Sequence, residues 1–177
     1  MVNRIDVDSD FGTLLNRFCS QVACDHPITL YGTGEQTRAF ININDSIKCL
    51  TLAIEEGRKC SEPKINILNQ MTATHKLNDL KDLLVSLYPE ATYTYIDNPR
   101  QEKAGNSLNV KNDKFKKLGY EGIEINAEDI RELVEVCREH RHMFEKNKES
   151  IMPVSFWQKF TVEDHDTLED SESVESL

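Results

Sequence analysis

The 177-residue chain is short of several things, and each shortage excludes a class of protein. It has no long apolar run; its hydrophobic stretches are brief and interrupted, so no segment is long enough to cross a bilayer as a helix. Met1 leads into Asn3, Arg4, Asp6 and Asp8, which does not read as a signal peptide, so none is expected at this start. A cytoplasmic location is the expectation, or a plastid one if a transit segment lies upstream. Basic residues are in the minority, with 21 Lys and Arg against 31 Asp and Glu, so the basic face that a nucleic acid demands is missing. The five cysteines, Cys19, Cys24, Cys49, Cys60 and Cys137, are odd in number and form no C-x-x-C pair. They read as reduced, mostly buried thiols. The five histidines show no metal-ligand spacing, and no metal is expected. Only seven glycines are present, and none builds a G-x-G-x-x-G turn.

What is there is a soluble, slightly polar composition, 38% hydrophobic and 29% charged. The length suits one domain. Net charge is −10, but residues 162–177 hold seven acidic groups and no Lys or Arg, leaving −3 for residues 1–161. The expected organisation is therefore a globular unit over 1–161 and a disordered acidic tail over 162–177.

Helices and short strands alternate along the chain. Phe11, Leu14, Leu15, Phe18 and Val22 recur at helical spacing over 11–24, with Ser9 or Asp10 as cap. Strands are expected at 28–31, 39–43, 64–68 and 92–96. A helix over 46–56, capped by Asn44 or Asp45, buries a stripe of Ile47, Leu50, Ala53 and Ile54. Another over 75–87, begun by Thr72 or Thr74, buries Leu77, Leu80, Leu84 and Leu87. Asp113–Leu118 is a short helix ended by Gly119, and 127–147 is the longest, capped by Asn126. The pattern predicts an α/β unit with a small mixed sheet and several helices.

One string is distinctive: Tyr31-Gly32-Thr33-Gly34-Glu35-Gln36-Thr37-Arg38-Ala39-Phe40, followed by Ile41 to Asp45 and an amphipathic helix. It resembles the Y-G-x-G-x-Q-x-R-x-F … D signature in the C-terminal half of extended short-chain dehydrogenase/reductase enzymes acting on nucleotide sugars. Phe11-Gly12-Thr13-Leu14-Leu15-Asn16-Arg17-Phe18-Cys19, Asn69-Gln70-Met71-Thr72, Asn98-Pro99-Arg100-Gln101-Glu102 and Met152 to Trp157 are similar to segments of the UDP-sulfoquinovose synthase branch, in order over about residues 8–160.

The resemblance implies a C-terminal, substrate-binding lobe whose partner is a UDP-sugar. It implies Arg38 and Arg100 as diphosphate clamps, because a guanidinium forks onto two phosphate oxygens and stays charged. Gln36 and Thr37 would reach uracil or ribose, Asn16 and Arg17 would approach substrate from the first helix, and Asn69 and Gln70 would do so from a strand end. In complete relatives the reaction implied is UDP-glucose plus sulfite to UDP-sulfoquinovose, with NAD bound in an N-terminal half.

These 177 residues carry neither the Gly-rich NAD turn nor a Tyr-x-x-x-Lys pair; positions four after Tyr31, Tyr88, Tyr93, Tyr95 and Tyr120 are Glu, Thr, Asp, Pro and Glu. No cofactor is therefore expected in this chain, and no turnover by it alone. The expectation is a split gene, a shortened copy or a partial chain that associates with itself or with a separate NAD-binding half. The competing readings are a non-enzymatic interaction protein built on the same lobe, and a piece of another nucleotide-sugar epimerase or dehydratase.

Overall fold

A computed structural model describes residues 13–62, 64–98 and 110–152. The elements run α1 (Leu14–Ala23), β1 (Ile28–Tyr31), β2 (Thr37–Phe40), α2 (Ile43–Arg58), β3 (Ala73–Lys76), α3 (Leu77–Leu87), β4 (Tyr93–Ile96), α4 (Asp113–Lys117), α5 (Ala127–Glu139), α6 (Arg141–Lys146) and α7 (Lys148–Ile151). The strands form two pairs. β1 lies parallel to β4, with Ile28 opposite Tyr93 and Tyr31 opposite Ile96. β2 lies antiparallel to β3, with Thr37 opposite Lys76 and Phe40 opposite Ala73. This is the α/β class that the alternation predicts; among the described residues the parallel pair and the antiparallel pair are two separate small sheets. Among the described residues no helix is long and apolar enough to cross a membrane.

α1 is the spine of the main core. Leu15, Phe18, Cys19 and Val22 repeat at spacings of three and four, so they line one side and are buried. They pack with Ile28 and Leu30 of β1, Leu77, Leu80 and Leu84 of α3, and Ile130, Leu133 and Val134 of α5. Full burial of a Leu, Ile or Phe side chain stabilises by roughly 1.5–3 kcal/mol.

A fully buried amide, Gln21, crosses this apolar core with every polar atom used. Its Nε2 donates to Thr29 Oγ1 at 2.7 Å and to the Ile151 carbonyl at 2.8 Å, and its Oε1 accepts from Thr29 N–H at 3.0 Å. Those bonds fasten α1 to β1 and to the end of α7. At the C-terminus of α1 the chain turns through Asp25 in the left-handed region (φ 57°). Arg141 lies over that end, donating to the carbonyls of Ala23 and Cys24 and to Asp25 Oδ2 at 2.6 Å. A cation at a helix C-terminus meets the negative end of its dipole.

A second, smaller core joins Ile41, Cys49, Phe115 and Tyr120, with Leu52, Ala53, Leu68 and Leu118 against it. Its polar centre is Asp45, which has no exposure to solvent. Oδ1 takes Lys48 Nζ at 2.9 Å; Oδ2 takes the Ile123 N–H at 2.7 Å and the hydroxyls of Thr72 and Tyr120 at 3.3 Å each. Nearby, Ser46 donates to Gln70 Oε1 at 2.7 Å and Asn112 to the Met71 carbonyl at 2.6 Å. α2, the loop before β3 and the 120–123 stretch are thus tied to one carboxylate. Burial raises its pKa, but Lys48, the Ile123 amide and Thr72 outweigh burial and hold it below the usual aspartate value.

Several expectations need correction. α2 begins at Ile43, and its cap is Asn42, whose side chain accepts from Asn44 N–H at 2.9 Å; Asp45 points inward instead. The buried side of α2 is Asp45, Ser46 and Cys49, and Ile47, Leu50 and Ile54 face out. The strand expected over 39–43 is Thr37–Phe40, because pairing with β3 selects those residues. That same pairing takes Ala73–Lys76 out of the helix expected from 75, so α3 starts at Leu77. Residues 64–68 form no strand. The long helix breaks at His140 (φ −105°, ψ 18°), which lets Arg141 turn onto α1 and Phe144 enter the core. Asn126 caps its start as expected, and Asp129 completes a capping box with it. α1 starts at Leu14 after Thr13; Ser9, Asp10 and Phe11 lie outside the described residues, as does the 162–177 tail.

All five cysteines are free, four of them buried and Cys60 exposed. Burial pushes the Cys19 thiol well up and the Cys137 thiol up to about 12. In a thiol-reagent titration at neutral pH, Cys60 should react fast and the other four only at the rate of unfolding. Asp45→Asn should cost about 2 kcal/mol in urea denaturation, the scale of hydrogen bonds to a charged group. The sign of the pH effect follows from a lowered folded pKa. Asp45 contributes its stability above the ordinary value near 3.9, and loses it as pH falls through the folded value. The acid limb of the wild-type stability curve should therefore be flatter in Asp45→Asn.

Candidate functional site at the ends of the parallel strands

In a parallel pair both strands run out at the same edge, and the loops that leave there converge. β1 leaves at Tyr31 into the turn 32–36, and β4 leaves at Ile96 into Asp97 and Asn98. The Gly32 N–H donates to the Ile96 carbonyl at 2.8 Å, extending the ladder by one bond. Gly32 and Gly34 then take φ of 60° and 73°, a region that costs other residues about 1–2 kcal/mol.

The turn is fastened from α3. Asn78 Nδ2 donates to the Thr33 carbonyl at 3.1 Å and to Glu35 Oε1 at 2.7 Å, its backbone N–H donates to the Gly34 carbonyl at 3.0 Å, and Tyr95 hydroxyl donates to Asn78 Oδ1 at 2.9 Å. Lys76 adds an ion pair to Glu35 at 2.9 Å. The Lys76 hydrogen bond, helped by Asn78, holds the Glu35 carboxyl below its usual range.

Gln36 closes the turn. It is 4% exposed, and its Nε2 donates to the Tyr31 carbonyl at 3.1 Å. That bond orients the amide and leaves Oε1 buried without a hydrogen-bond partner. Gly32 leaves room for this: a Cβ there would stand 3.3 Å from Gln36 Nε2 and 3.6 Å from Asn98 Cβ. From the first turn of α1 the Arg17 guanidinium reaches over the Tyr31 ring, 5.4 Å from its centroid, and the neighbouring Asn16 is buried. Arg17, Tyr31, Gly32, Gln36 and Asn98 thus meet at one edge.

Arg38 is half-buried, and its Nη1 donates to the Thr37 carbonyl at 3.0 Å. Strand alternation puts it on the same side of β2 as Phe40, which enters the main core. His75 is its partner across the ladder and lies against Phe40, ring centroids 5.8 Å apart; His75 Nε2 is also buried without a hydrogen bond. Thr37 pairs with Lys76 beside the turn. Arg100 lies outside the described residues.

Asn69 and Gln70 belong to a different region. Asn69 Nδ2 donates to the Lys111 carbonyl at 3.1 Å, and Gln70 takes the Ser46 hydroxyl. Both secure the loop beside the Asp45 centre. Sequence reasoning quoted Tyr31 and Asn98 in its strings without giving them a role, and it passed over Asn78 and His75. Asn78 had a signal, a polar side chain in the first turn of a helix following the glycine turn. His75 had none, because its place depends on the β2–β3 register.

No family model matches the sequence. The chloroplastic UDP-sulfoquinovose synthase of Spinacia oleracea is 32% identical over 166 residues, covering 92% of this chain and 34% of that protein. The chain resembles the C-terminal part of the UDP-sulfoquinovose synthases. The synthase of Sulfolobus acidocaldarius agrees, 28% identical over 160 residues, which is 88% of this chain and 40% of that synthase. The chain thus spans between a third and two fifths of the length of these synthases.

Solved structures carry the same fold. UDP-glucuronic acid 4-epimerase from Bacillus cereus, in complex with UDP-glucuronic acid and NAD, superposes with TM-score 0.60 at 19% identity, over 72% of this chain and 40% of the epimerase. UDP-glucose 4-epimerase from Thermotoga maritima, with UDP-glucose, gives 0.61 at 21% identity over 79% and 43%. The fold is that of part of these NAD-containing and UDP-sugar-containing epimerase structures.

Gly34→Ala tests the built turn. A Cβ there would run into the Asn78 carboxamide while the backbone is already left-handed. A loss of about 2 kcal/mol in chemical denaturation is expected. Gly57→Ala, where a Cβ meets nothing within 4 Å inside α2, should instead gain about 0.5–1 kcal/mol.

Proposed function

We propose that this chain is the sugar-nucleotide-binding lobe of a UDP-sulfoquinovose synthase-type protein, and that it holds a UDP-sugar at the edge where β1 and β4 end. The observation that carries the reading is Gln36. A buried amide oxygen without a donor costs about 1–3 kcal/mol, and an amide already anchored by its other end is positioned to accept from an N–H or O–H of an incoming ligand. A uracil N–H or a ribose hydroxyl supplies that donor.

Thr37 and Arg38 follow on the same strand, and Arg38 with Arg100 would take the diphosphate, two fixed cations against two phosphate charges. Asn16 and Arg17 form the wall from α1. Asn69 and Gln70 enter as holders of their loop rather than as direct ligands. The relatives' names support the ligand class: the similar proteins make UDP-sulfoquinovose, and two of the solved epimerases contain UDP-sugars.

The lobe binds and orients in this reading, and hydride chemistry belongs to NAD held by another α/β unit. The reading assigns no cofactor to these residues, and no oxidation, elimination or sulfite addition to the lobe alone, because the sequence offers no Tyr-x-x-x-Lys pair.

Thermal-shift titration with UDP and UDP-glucose tests this. Ligand at a hundred times Kd should add about 2.7 kcal/mol and raise Tm in proportion. Arg38→Ala, Arg100→Ala and Gln36→Leu should each weaken binding about ten- to a hundredfold, the loss expected for one sheltered charge-assisted or specific hydrogen bond. An equal response to dTDP-glucose would favour a piece of another epimerase or dehydratase. No shift at millimolar UDP would overturn the binding reading.

A further inference from the structure

β2 and β3 carry one face whose polar groups are left incomplete. The Leu77 N–H donates to the Gln36 carbonyl at 3.1 Å, so the ladder of these strands runs one residue past Thr37. Alternation then puts Gln36, Arg38 and Phe40 of one strand on the same side as His75 and Leu77 of the other. Phe40 and Leu77 both enter the main core, which identifies that side as the inner one. Between them, on the middle rung, Arg38 stands opposite His75.

Two buried polar atoms on this face have no hydrogen-bond partner, Gln36 Oε1 and His75 Nε2. Gln36 is already assigned to the nucleoside. His75 is the new element. A histidine that serves only as packing normally has its buried nitrogen satisfied, because a bare one forfeits a hydrogen bond that water would have supplied. The ring is held by the Phe40 ring, with centroids 5.8 Å apart, so the bare nitrogen belongs to a packed side chain.

The neutral imidazole carries one N–H, and its partner decides which nitrogen holds the proton. With the proton on Nε2, the ring adds a donor beside the Arg38 guanidinium without adding a second charge. A charged donor and a neutral one on the same face suit an anion better than a hydroxyl, which needs an acceptor for its own proton. We propose that His75 donates its Nε2–H to a phosphate oxygen of the diphosphate that Arg38 binds. This rests on the sugar-nucleotide reading and extends it to the opposite strand. Gln36 accepts from the nucleoside, Arg38 neutralises the diphosphate, and His75 fixes the orientation of one phosphate.

The test titrates the full 177-residue chain with UDP and with uridine, by calorimetry and by NMR of the histidine ring nitrogens. In the UDP complex the His75 Nε2–H proton should move downfield and exchange slowly with water; with uridine it should do neither. His75→Phe keeps the packing on Phe40, so its urea midpoint should match wild type, while its UDP affinity falls about tenfold to a hundredfold. His75→Gln, whose Nε2 can reach a similar place, should bind UDP within about threefold of wild type. A His75→Phe chain that binds UDP like wild type, an equal loss for uridine and UDP, or an Nε2 that carries no proton in the wild-type complex overturns the His75 proposal. In each of those cases the lobe reading still stands on wild-type UDP binding and its weakening in Arg38→Ala. A wild-type chain that binds no UDP overturns both.

Discussion

One carboxylate, almost without contact with water, holds the second half of this fold in place. Asp45 gathers an ammonium, two hydroxyls and a backbone N–H from α2, the loop before β3 and the 120–123 stretch. A buried charge tolerates no vacancy among its partners, since removing one leaves the desolvation cost uncompensated. The demand runs outward. α2 must keep its inner side polar at Asp45 and Ser46, Thr72 must sit where it also donates to or accepts from Tyr120, and β3 must follow directly from that loop. With β3 fixed, β2 is fixed by its ladder, and Arg38 and His75 are brought opposite one another.

At the turn 32–36 the organising constraint is backbone shape. The turn 32–36 is held left-handed at two glycines and pinned by Asn78, Lys76 and Tyr95 from neighbouring elements. A turn so fastened has little conformational freedom left to lose. The unpaired Gln36 oxygen sits in that rigid frame. Ile47, Leu50 and Ile54 of α2, and Ile65 and Ile67 after it, keep their side chains in water.

Much of this was legible in the residues. α1 showed its buried side through Leu15, Phe18 and Val22, Asn126 announced α5, and Gly119 ended the short helix α4. The Tyr31–Phe40 string marked both a glycine turn and a nucleotide-sugar relative. α2 was misread for an instructive reason. Periodicity finds an apolar stripe, and Ile47, Leu50 and Ile54 are one; it does not say what covers the stripe. Taking it for the inner side hid the polar, buried Asp45. The break at His140 was invisible as well, because Arg141 turns there to serve carbonyls of α1 more than a hundred residues earlier.

The sequence by itself determined the class of fold, the helix and turn chemistry, and the branch of relatives, because caps, glycine turns and apolar periods act over a few residues. Tertiary structure alone decided which residues pair across β2 and β3, which side of α2 is inside, and which amide is left with an unused oxygen. Those outcomes depend on contacts between segments far apart in the chain, where burial and register, rather than local preference, set the energy.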